Sequence, residues 1–303
     1  MTSKSVGFVG LGLMGAPMAA NIAAAGWDVK AWNRSDAVFE DLPAVYRAQS
    51  VAALRDQHTI IFMLPDLPFI EEAATELLES WREEVPSPGT AVVVMSSVSP
   101  TQVQRFGATV HDASGGNAVV VDAPVSGGTV GAQNGTLAIM VGASEPDFAK
   151  LEPLFATMGT TVRRMGPLGL GSLAKACNQL IVGSTTAALA EAAELAERSG
   201  MDVAALYDVL SGGLAGSRVL DVVGPRLASK DYTPTGPAKF MHKDLGFLVD
   251  AARDVGSAVP MAAAAIELYA ELKRQGLGDL DLAVVRQAIA NLDPAPAASQ
   301  ASN

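Results

Sequence analysis

A lysine set among small residues is the first feature of this sequence that could do chemistry. Lys175 lies in the stretch GSLAKACNQL (171–180), where ordinary helix packing would favour another apolar residue. If the stretch is helical from about Gly171, then Lys175, Asn178 and Gln179 stand at i, i+3 and i+4 and share one face. A buried ammonium group is costly unless a site uses it. The sequence therefore leaves two interpretations, a solvated lysine or an ammonium group that serves a site together with two amides beside it.

Three glycines near the N-terminus have the spacing of a dinucleotide-binding loop. They form G-x-G-x-x-G within VGFVGLGLMGAPM (6–18), directly after an apolar run and before a helical pattern. The first glycine allows a tight turn, the second lets the backbone approach a pyrophosphate, and the third lets the helix pack closely on the strand. The pattern predicts a nucleotide site, against the alternative of a glycine-rich turn without a ligand. The predicted cofactor-binding loop comprises Gly10, Leu11, Gly12, Leu13, Met14 and Gly15.

The end of the second apolar run indicates which dinucleotide binds. An NAD site places Asp or Glu about 20 residues past the glycines, where the acid bonds the ribose 2′-hydroxyl. Here the run DVKAW is followed by Asn33, Arg34 and Ser35, and the nearest acids, Asp28 and Asp36, flank the run. Arg34 with its two neighbours can instead meet a 2′-phosphate through charge-assisted hydrogen bonds. The sequence favours NADP over NAD, with a solvated loop arginine as the alternative.

Two further apolar runs end in residues that could line the same cofactor. Ligands of open α/β sheets bind outside the carboxyl ends of the strands. The run TIIF is followed by Met63, Leu64 and Pro65, and the run TAVVVM is followed by a serine pair that ends at Ser97. We expect these positions to face the dinucleotide, unless they are ordinary strand exits.

A second glycine-rich loop could hold the substrate. The stretch DAPVSGGTVGAQNG (122–135) follows the apolar run AVVV. Ser126 offers a hydroxyl group, and Gly127 and Gly128 allow backbone N–H groups to converge on a small anion. We predict that these residues bind a carboxylate. A glycine turn between two strands is the other interpretation.

The elements that must position these residues divide the chain into two parts. Up to about Val141, short β-branched runs alternate with amphipathic stretches, which indicates a mostly parallel sheet covered by helices. After about Met165 the strand signals stop and helical patterns follow. The predicted fold class is α/β, with a Rossmann-like doubly wound sheet domain that binds NADP (1–164), an all-α domain for substrate and oligomerisation (165–293) and a disordered tail (294–303). The predicted strands lie in SVGFVG, WDVKAWN, TIIFMLP, TAVVVMSS, AVVVDAP and TLAIMVG, and the later helices are predicted at roughly 170–199, 202–211, 216–228, 239–256, 261–275 and 281–291.

Composition narrows the class of protein. The 303 residues carry a net charge of −11 without a cluster of Lys or Arg, so we expect neither nucleic acid nor a membrane surface as a partner. The single cysteine and three scattered histidines show no metal-ligand spacing, so no metal is expected. No export signal and no spanning apolar run is visible, which favours the cytoplasm. The alanine- and leucine-rich segment 181–196 predicts a homo-oligomer, either a dimer or a tetramer.

Four motifs in order resemble those of the β-hydroxyacid dehydrogenase family. They are VGFVGLGLMGAPM, DAPVSGG, GLGSLAKACNQ and HKDL, and they span nearly the full length of the chain. The resemblance implies a Rossmann domain followed by an all-helical domain, a nicotinamide cofactor and catalysis by Lys175. It also implies that Lys243 lies against the nicotinamide end of the cofactor. The residues implied to bind substrate are Ser126, Gly127, Gly128 and Asn178, and those implied to line the dinucleotide include Leu64, Pro65 and Ser97.

Within that family, the stretch SGGLAGSRVLD (211–221) and the Asn178-Gln179 pair are most similar to members that reduce tartronate semialdehyde to glycerate. We therefore predict hydride transfer from NADPH to a small semialdehyde acid, with Lys175 as proton donor and Gln179 beside Asn178 in the substrate site. Turnover of 3-hydroxyisobutyrate, L-serine, L-threonate, succinic semialdehyde or glyoxylate is the alternative within the family. A non-catalytic dinucleotide-binding module and a reductase of cyclic imines are the remaining alternatives.

Overall fold

The computed structural model describes residues 4–292, which divide into two compact units. Unit 1 runs through Asn178 and also takes in Asp250–Gly256. Unit 2 comprises Gln179–Val249 and the described residues from Ser257 onward. The tail predicted at 294–303 lies outside the described residues.

The described part of unit 1 contains a nine-stranded sheet. Its strands are Ser5–Val9 (β1), Asp28–Trp32 (β2), Val45–Arg47 (β3), Thr59–Phe62 (β4), Thr90–Val94 (β5), Ala118–Asp122 (β6), Val125–Ser126 (β7), Leu137–Gly142 (β8) and Gly159–Gly166 (β9). Their order is β3-β2-β1-β4-β5-β6-β8-β7, and β9 pairs with β8. Neighbours are parallel from β3 to β6, whereas β8 is antiparallel to β6 and β7. The order reverses next to β1, as in a doubly wound sheet, and this confirms the predicted fold class.

Helices cover both faces of this sheet because its strands are apolar on both sides. The helices are Gly15–Ala24 (α1), Leu67–Glu83 (α2), Pro100–Ala113 (α3), Gly128–Asn134 (α4) and Glu145–Phe155 (α5). Successive residues of β1 point to opposite faces, so Phe8 joins a core with Met18 of α1, and Val9 joins a separate core with Ile70 of α2. This packing holds the carboxyl ends of β1, β4, β5 and β6 at one edge of the sheet.

The sheet is larger than the sequence predicted. The six predicted strands are present, but β3, β7 and β9 are additional. Strands β3 and β7 have three and two residues, which is too short for a recognisable pattern. In β9 only Gly159, Val162 and Gly166 are buried, so the strand lacks the apolar alternation that predicts a half-buried strand.

Unit 2 is helical in the described residues. Its helices are Leu170–Arg198 (α6, which begins in unit 1), Val203–Ser211 (α7), Arg218–Ser229 (α8), Lys239–Asp254 (α9, which ends in unit 1), Pro260–Arg274 (α10) and Val285–Ala290 (α11). These bounds agree closely with the prediction, except that the segment predicted as a helix at 281–291 begins with a 3₁₀ turn at Leu282–Val284. Inside the unit, the wholly buried Arg286 donates to Glu194 at 2.8 Å and lies 3.0 Å from Glu197. Within residues 4–292, none of the helices is both long and apolar enough to cross a membrane.

Candidate functional site

The glycine loop forms a tight connection between β1 and α1. Gly10 has a φ of 100°, which a side chain would disfavour, and its N–H donates to the carbonyl of Trp32 at 3.0 Å. A Cβ atom on Gly15 would overlap the Gly10 carbonyl oxygen, so the helix packs directly against the turn. A Cβ atom on Gly12 would meet no described atom within 4 Å. The middle glycine therefore presents its backbone to open space.

The start of α1 contains no anionic group of its own. Its N-cap residue, Met14, makes no side-chain cap hydrogen bond, and the first turn contains no acidic residue. The first N–H groups of a helix lack partners inside the helix and carry the positive end of its dipole. Together with the open space at Gly12, this arrangement fits a pyrophosphate.

The residues after β2 are tied to the same loop. The Asn33 side-chain oxygen accepts the Leu11 N–H at 2.9 Å, and its amide nitrogen donates to the Ser35 carbonyl at 2.9 Å. Asn33 thereby holds the glycine loop against the end of β2. Arg34 is exposed beside it. On the neighbouring strand, Arg47 forms an ion pair with Asp36 at 2.6 Å.

A buried serine links the ends of β4 and β5. The Ser96 hydroxyl oxygen accepts the Leu64 N–H at 2.9 Å, and Ser96 is only 1% exposed. Leu64 also contacts the turn, because a Cβ atom on Gly10 would lie 2.7 Å from its side chain. The sequence offered Ser96 and Ser97 together and named Ser97 as the cofactor contact, since nothing in the local pattern shows which hydroxyl turns inward.

The predicted substrate loop lies against α1. Ser126 pairs with Ala138 of β8, and Gly127 and Gly128 both have positive φ, at 137° and 61°. The Asn21 side chain on α1 donates to the Ala132 carbonyl on α4 at 2.7 Å. Asn21 thus joins α1, which follows the glycine loop, to α4, which follows the predicted substrate loop. It belongs to no motif, so sequence reasoning missed it.

The helix that carries Lys175 begins at the carboxyl edge of the sheet. The carboxylate of Asp122, the last residue of β6, accepts the N–H groups of Gly169 and Ser172, which flank the start of α6. Lys175 and Asn178 follow on the same helix, half-buried, in unit 1. The edge where α6 begins is therefore the edge that carries the glycine loop.

Two of the predicted site residues belong to unit 2. Gln179 donates to the Asp244 carboxylate at 2.8 Å, and the other Asp244 oxygen lies 3.1 Å from the Lys243 ammonium. The same ammonium lies 4.8 Å from the centre of the Phe247 ring. Gln179 and Lys243 therefore share one polar cluster, whereas the other predicted site residues belong to unit 1.

Comparison with known proteins identifies the family. Residues 5–166 match the model of the NAD binding domain of 6-phosphogluconate dehydrogenase, and residues 169–289 match the model described as NAD-binding of NADP-dependent 3-hydroxyisobutyrate dehydrogenase. The 2-hydroxy-3-oxopropionate reductase of Escherichia coli is 34% identical, over 94% of this chain and 96% of its own length. The chain belongs to the β-hydroxyacid dehydrogenase family.

Two further proteins that are similar to this β-hydroxyacid dehydrogenase are named after other substrates. The NAD-dependent L-serine dehydrogenase of Pseudomonas aeruginosa is 33% identical, over 94% of this chain and 97% of its own length. A structure of Mycobacterium tuberculosis 3-hydroxyisobutyrate dehydrogenase with L-serine has a TM-score of 0.79 at 30% identity, covering 94% of this chain and 98% of that one. The chain is thus an oxidoreductase that uses NAD(P) and acts on a small hydroxy acid.

Proposed function

We propose that this enzyme reduces a small semialdehyde acid, tartronate semialdehyde, to glycerate with NADPH, and that Lys175 donates the proton. The observation that carries the proposal is the position of Lys175. It is a half-buried cation in the second turn of a helix that begins at the carboxyl edge of the sheet, the edge at which ligands of open α/β sheets bind. A lysine held in this way is suited to proton transfer rather than to solvation.

The proposed chemistry needs one proton for each reduced carbonyl group. When bound, NADPH supplies the hydride that attacks the aldehyde carbon. The π electrons of the carbonyl group then move to its oxygen, where the Lys175 ammonium donates a hydrogen bond and transfers its proton. The neutral amine regains a proton from water before the next turnover. In the direction of oxidation Lys175 must start neutral, so oxidation should improve at alkaline pH.

The remaining groups of the substrate need polar partners. We assign the substrate carboxylate to the Ser126 hydroxyl and the N–H groups of Gly127 and Gly128. Asn178, one helical turn beyond Lys175, would orient the reacting oxygen. Gln179 and Lys243 stay predicted contacts of substrate and cofactor, respectively.

The decisive variant is Lys175→Ala. Removal of the proton donor should lower kcat by about 10²–10⁴-fold while the KM for NADPH changes little. Lys150→Ala is the matched control, because Lys150 is an exposed lysine of unit 1 on α5, outside the proposed site. Steady-state kinetics of both variants would test the role. Turnover of Lys175→Ala at the wild-type rate would contradict it.

The preference for NADP rests on Arg34. It is exposed at the end of β2, and no acidic residue occupies the adjacent Asn33 position. Loss of a charge-assisted hydrogen bond to a 2′-phosphate costs about 1.5–3 kcal/mol, so Arg34→Ala should raise the KM for NADPH about 10–100-fold. The KM for NADH should stay near the wild-type value. Equal changes for both cofactors would contradict the assignment.

The choice of tartronate semialdehyde rests on sequence similarity to the E. coli reductase and on the 211–221 stretch. L-Serine oxidation is the second candidate, because a relative of similar identity is named an L-serine dehydrogenase and another was solved with L-serine. A panel should compare kcat/KM for tartronate semialdehyde, methylmalonate semialdehyde, succinic semialdehyde and glyoxylate with NADPH, and for L-serine with NAD⁺. A higher value for any other member of the panel would contradict the substrate assignment.

We further propose that the chain forms a homo-oligomer through unit 2. Ile181 and Leu195 on α6 are 65% and 71% exposed, and Val209 and Leu214 after them are also exposed. Large apolar side chains on one helix of a small unit are typical of a surface that another subunit covers. Light scattering coupled to size-exclusion chromatography should give a mass of two or four chains. A monomer at micromolar concentration would contradict this.

A further inference from the structure

A buried carboxylate holds the start of the helix that carries Lys175. Asp122 has no exposed surface, and one of its carboxylate oxygens accepts the Gly169 N–H at 2.8 Å. The other accepts the Ser172 N–H at 2.5 Å. A helix leaves its first N–H groups without partners inside the helix, and an anion satisfies them while complementing the helix dipole. Asp122 therefore acts as a cap that the sheet supplies to α6.

The close contact around this cap leaves little room for the helix to shift. Asp122 pairs with Gly142 of β8, and a Cβ atom on Gly142 would overlap the Asp122 carboxylate. A Cβ atom on Gly171 would lie 2.7 Å from the Asp122 carbonyl oxygen and 2.8 Å from the Gly142 nitrogen. The first turn of α6 therefore sits directly on the ends of β6 and β8.

The position of Lys175 follows from this contact. Lys175 lies four residues after Gly171 and three after Ser172, which is about one turn of helix. Because α6 is continuous through this segment, a shift or rotation of its first turn moves Lys175 with it. A proton donor misplaced by about 1 Å can lose about 10²-fold in rate.

We propose that Asp122 is a positioning residue that sets the place of the Lys175 ammonium through the first turn of α6. This inference rests on the proposed function, because it assumes that Lys175 donates the proton. Asp122 itself contacts backbone N–H groups, so it takes no part in binding or proton transfer.

The test compares Asp122→Asn with Asp202→Asn. Asparagine keeps the size of the side chain but turns an NH₂ group towards one of the two N–H donors, so one bond is lost. Asp202 caps α7 by accepting the Ala204 N–H at 3.0 Å, outside the proposed site. Asp122→Asn should lower kcat about 10–100-fold, change the KM for NADPH by less than about threefold and raise the deuterium isotope effect with 4-deuterated NADPH. Asp202→Asn should leave all three values unchanged.

A double variant separates positioning from a general loss of folded enzyme. If Asp122 acts through Lys175, then adding Asp122→Asn to Lys175→Ala should lower kcat by less than about threefold more. A partly unfolded enzyme would instead lose kcat in proportion to its active fraction, with the KM and the isotope effect unchanged. That result, or a fully multiplicative loss in the double variant, would overturn the inference.

A milder variant keeps the test usable if Asp122→Asn does not fold. Gln104 donates to the Leu168 carbonyl at 3.0 Å and so holds the same approach to α6 from α3. Gln104→Ala should lower kcat about threefold, with a smaller rise in isotope effect than Asp122→Asn and an unchanged KM for NADPH. An isotope effect at the wild-type value in this variant would overturn the inference. If Lys175→Ala lowers kcat but the Asp122 and Gln104 variants do not, only the positioning role is refuted. If Lys175→Ala keeps the wild-type kcat, the proposed function is refuted.

Discussion

The N-termini of α1 and α6 lie at the same edge of the sheet but are completed in opposite ways. At α1, the N-cap residue Met14 makes no side-chain cap hydrogen bond, and the backbone at Gly12 faces open space. At α6, the buried carboxylate of Asp122 accepts two N–H groups, and Gly171 has no room for a side chain. The start of α1 is open, as the predicted phosphate site requires, whereas the start of α6 is closed by an acid of the protein itself.

The difference shows how one structural device serves two tasks. A helix dipole left open binds an anion that arrives and leaves, which suits a cofactor exchanged in each turnover. A dipole closed by a buried acid fixes the helix in place, which suits a helix that must deliver a side chain to a set position. Two kinds of variant should therefore distinguish the helix starts. One adds a side chain where the start of α6 is closely packed, and the other adds an acid where the start of α1 has none.

The largest effect, a loss of stability, is expected when a side chain is added at the closely packed start of α6. Gly171→Ala should lower the free energy of unfolding by about 3 kcal/mol, the upper end of the range for overpacking, because the new methyl group overlaps backbone atoms of β6 and β8. Gly12→Ala is the control at α1 and should change that free energy by less than about 0.5 kcal/mol. Urea unfolding without cofactor measures both. Equal losses in the two variants would mean that the two helix starts are equally closed.

A smaller effect, on the affinity for NADPH, is expected when an acid is placed at the start of α1. Met14→Asp places a negative charge at the N-cap of α1, where it would repel the phosphates of a cofactor bound at this helix end. The dissociation constant of NADPH should rise about tenfold, which corresponds to about 1.4 kcal/mol. Met14→Asn introduces a polar side chain of the same size as Asp but without the charge, and it should show less than half of that free-energy change. Titration of nicotinamide fluorescence would measure both, and tighter binding by the Asp variant would contradict the assignment of phosphates to this helix.

The smallest effect is a pH dependence of the stability that Asp122 contributes at the start of α6. Burial raises the pKa of Asp122 above its ordinary value of 3.8, and hydrogen bonds from Gly169 and Ser172 oppose this without cancelling it. A carboxyl group whose pKa is higher in the folded state favours folding while it is protonated, and this contribution is lost as the pH rises through the folded-state pKa. The difference in unfolding free energy between wild type and Asp122→Asn should therefore shrink as the pH is raised from 3.8. At α1, the difference between wild type and Met14→Asn should not depend on pH. Urea unfolding at a series of pH values checks both, and an Asp122 difference that grows with pH would contradict the direction of the shift.

The turns and helices that depend on neighbouring residues could be predicted from the sequence. The glycine spacing predicted the turn at Gly10, and the helical periods predicted the helices of unit 2 closely, because caps such as Asp202 stand next to the elements that they begin. Strand β9 was missed because its buried positions are too far apart to show a period of two.

The supports of the site could not be predicted in the same way. Asp122 bonds residues 47 and 50 positions away, and Asn21 bonds Ala132 across 111 positions. No local pattern records such partners, since they meet only when the sheet has formed. The sequence therefore predicted residues that have chemical groups to offer, and the fold was needed to find the residues that hold the surrounding elements together.

The close contact of Asp122, Gly142 and Gly171 also limits which hybrids of this chain with a relative can fold. These three residues come from separate segments of the chain, yet neither glycine can take a side chain unless the residues around it move. A chimaera whose crossover falls between residues 142 and 171 combines a strand pair from one parent with a helix start from another. Parents that differ at any of these three positions should yield folded hybrids only when all three are inherited together.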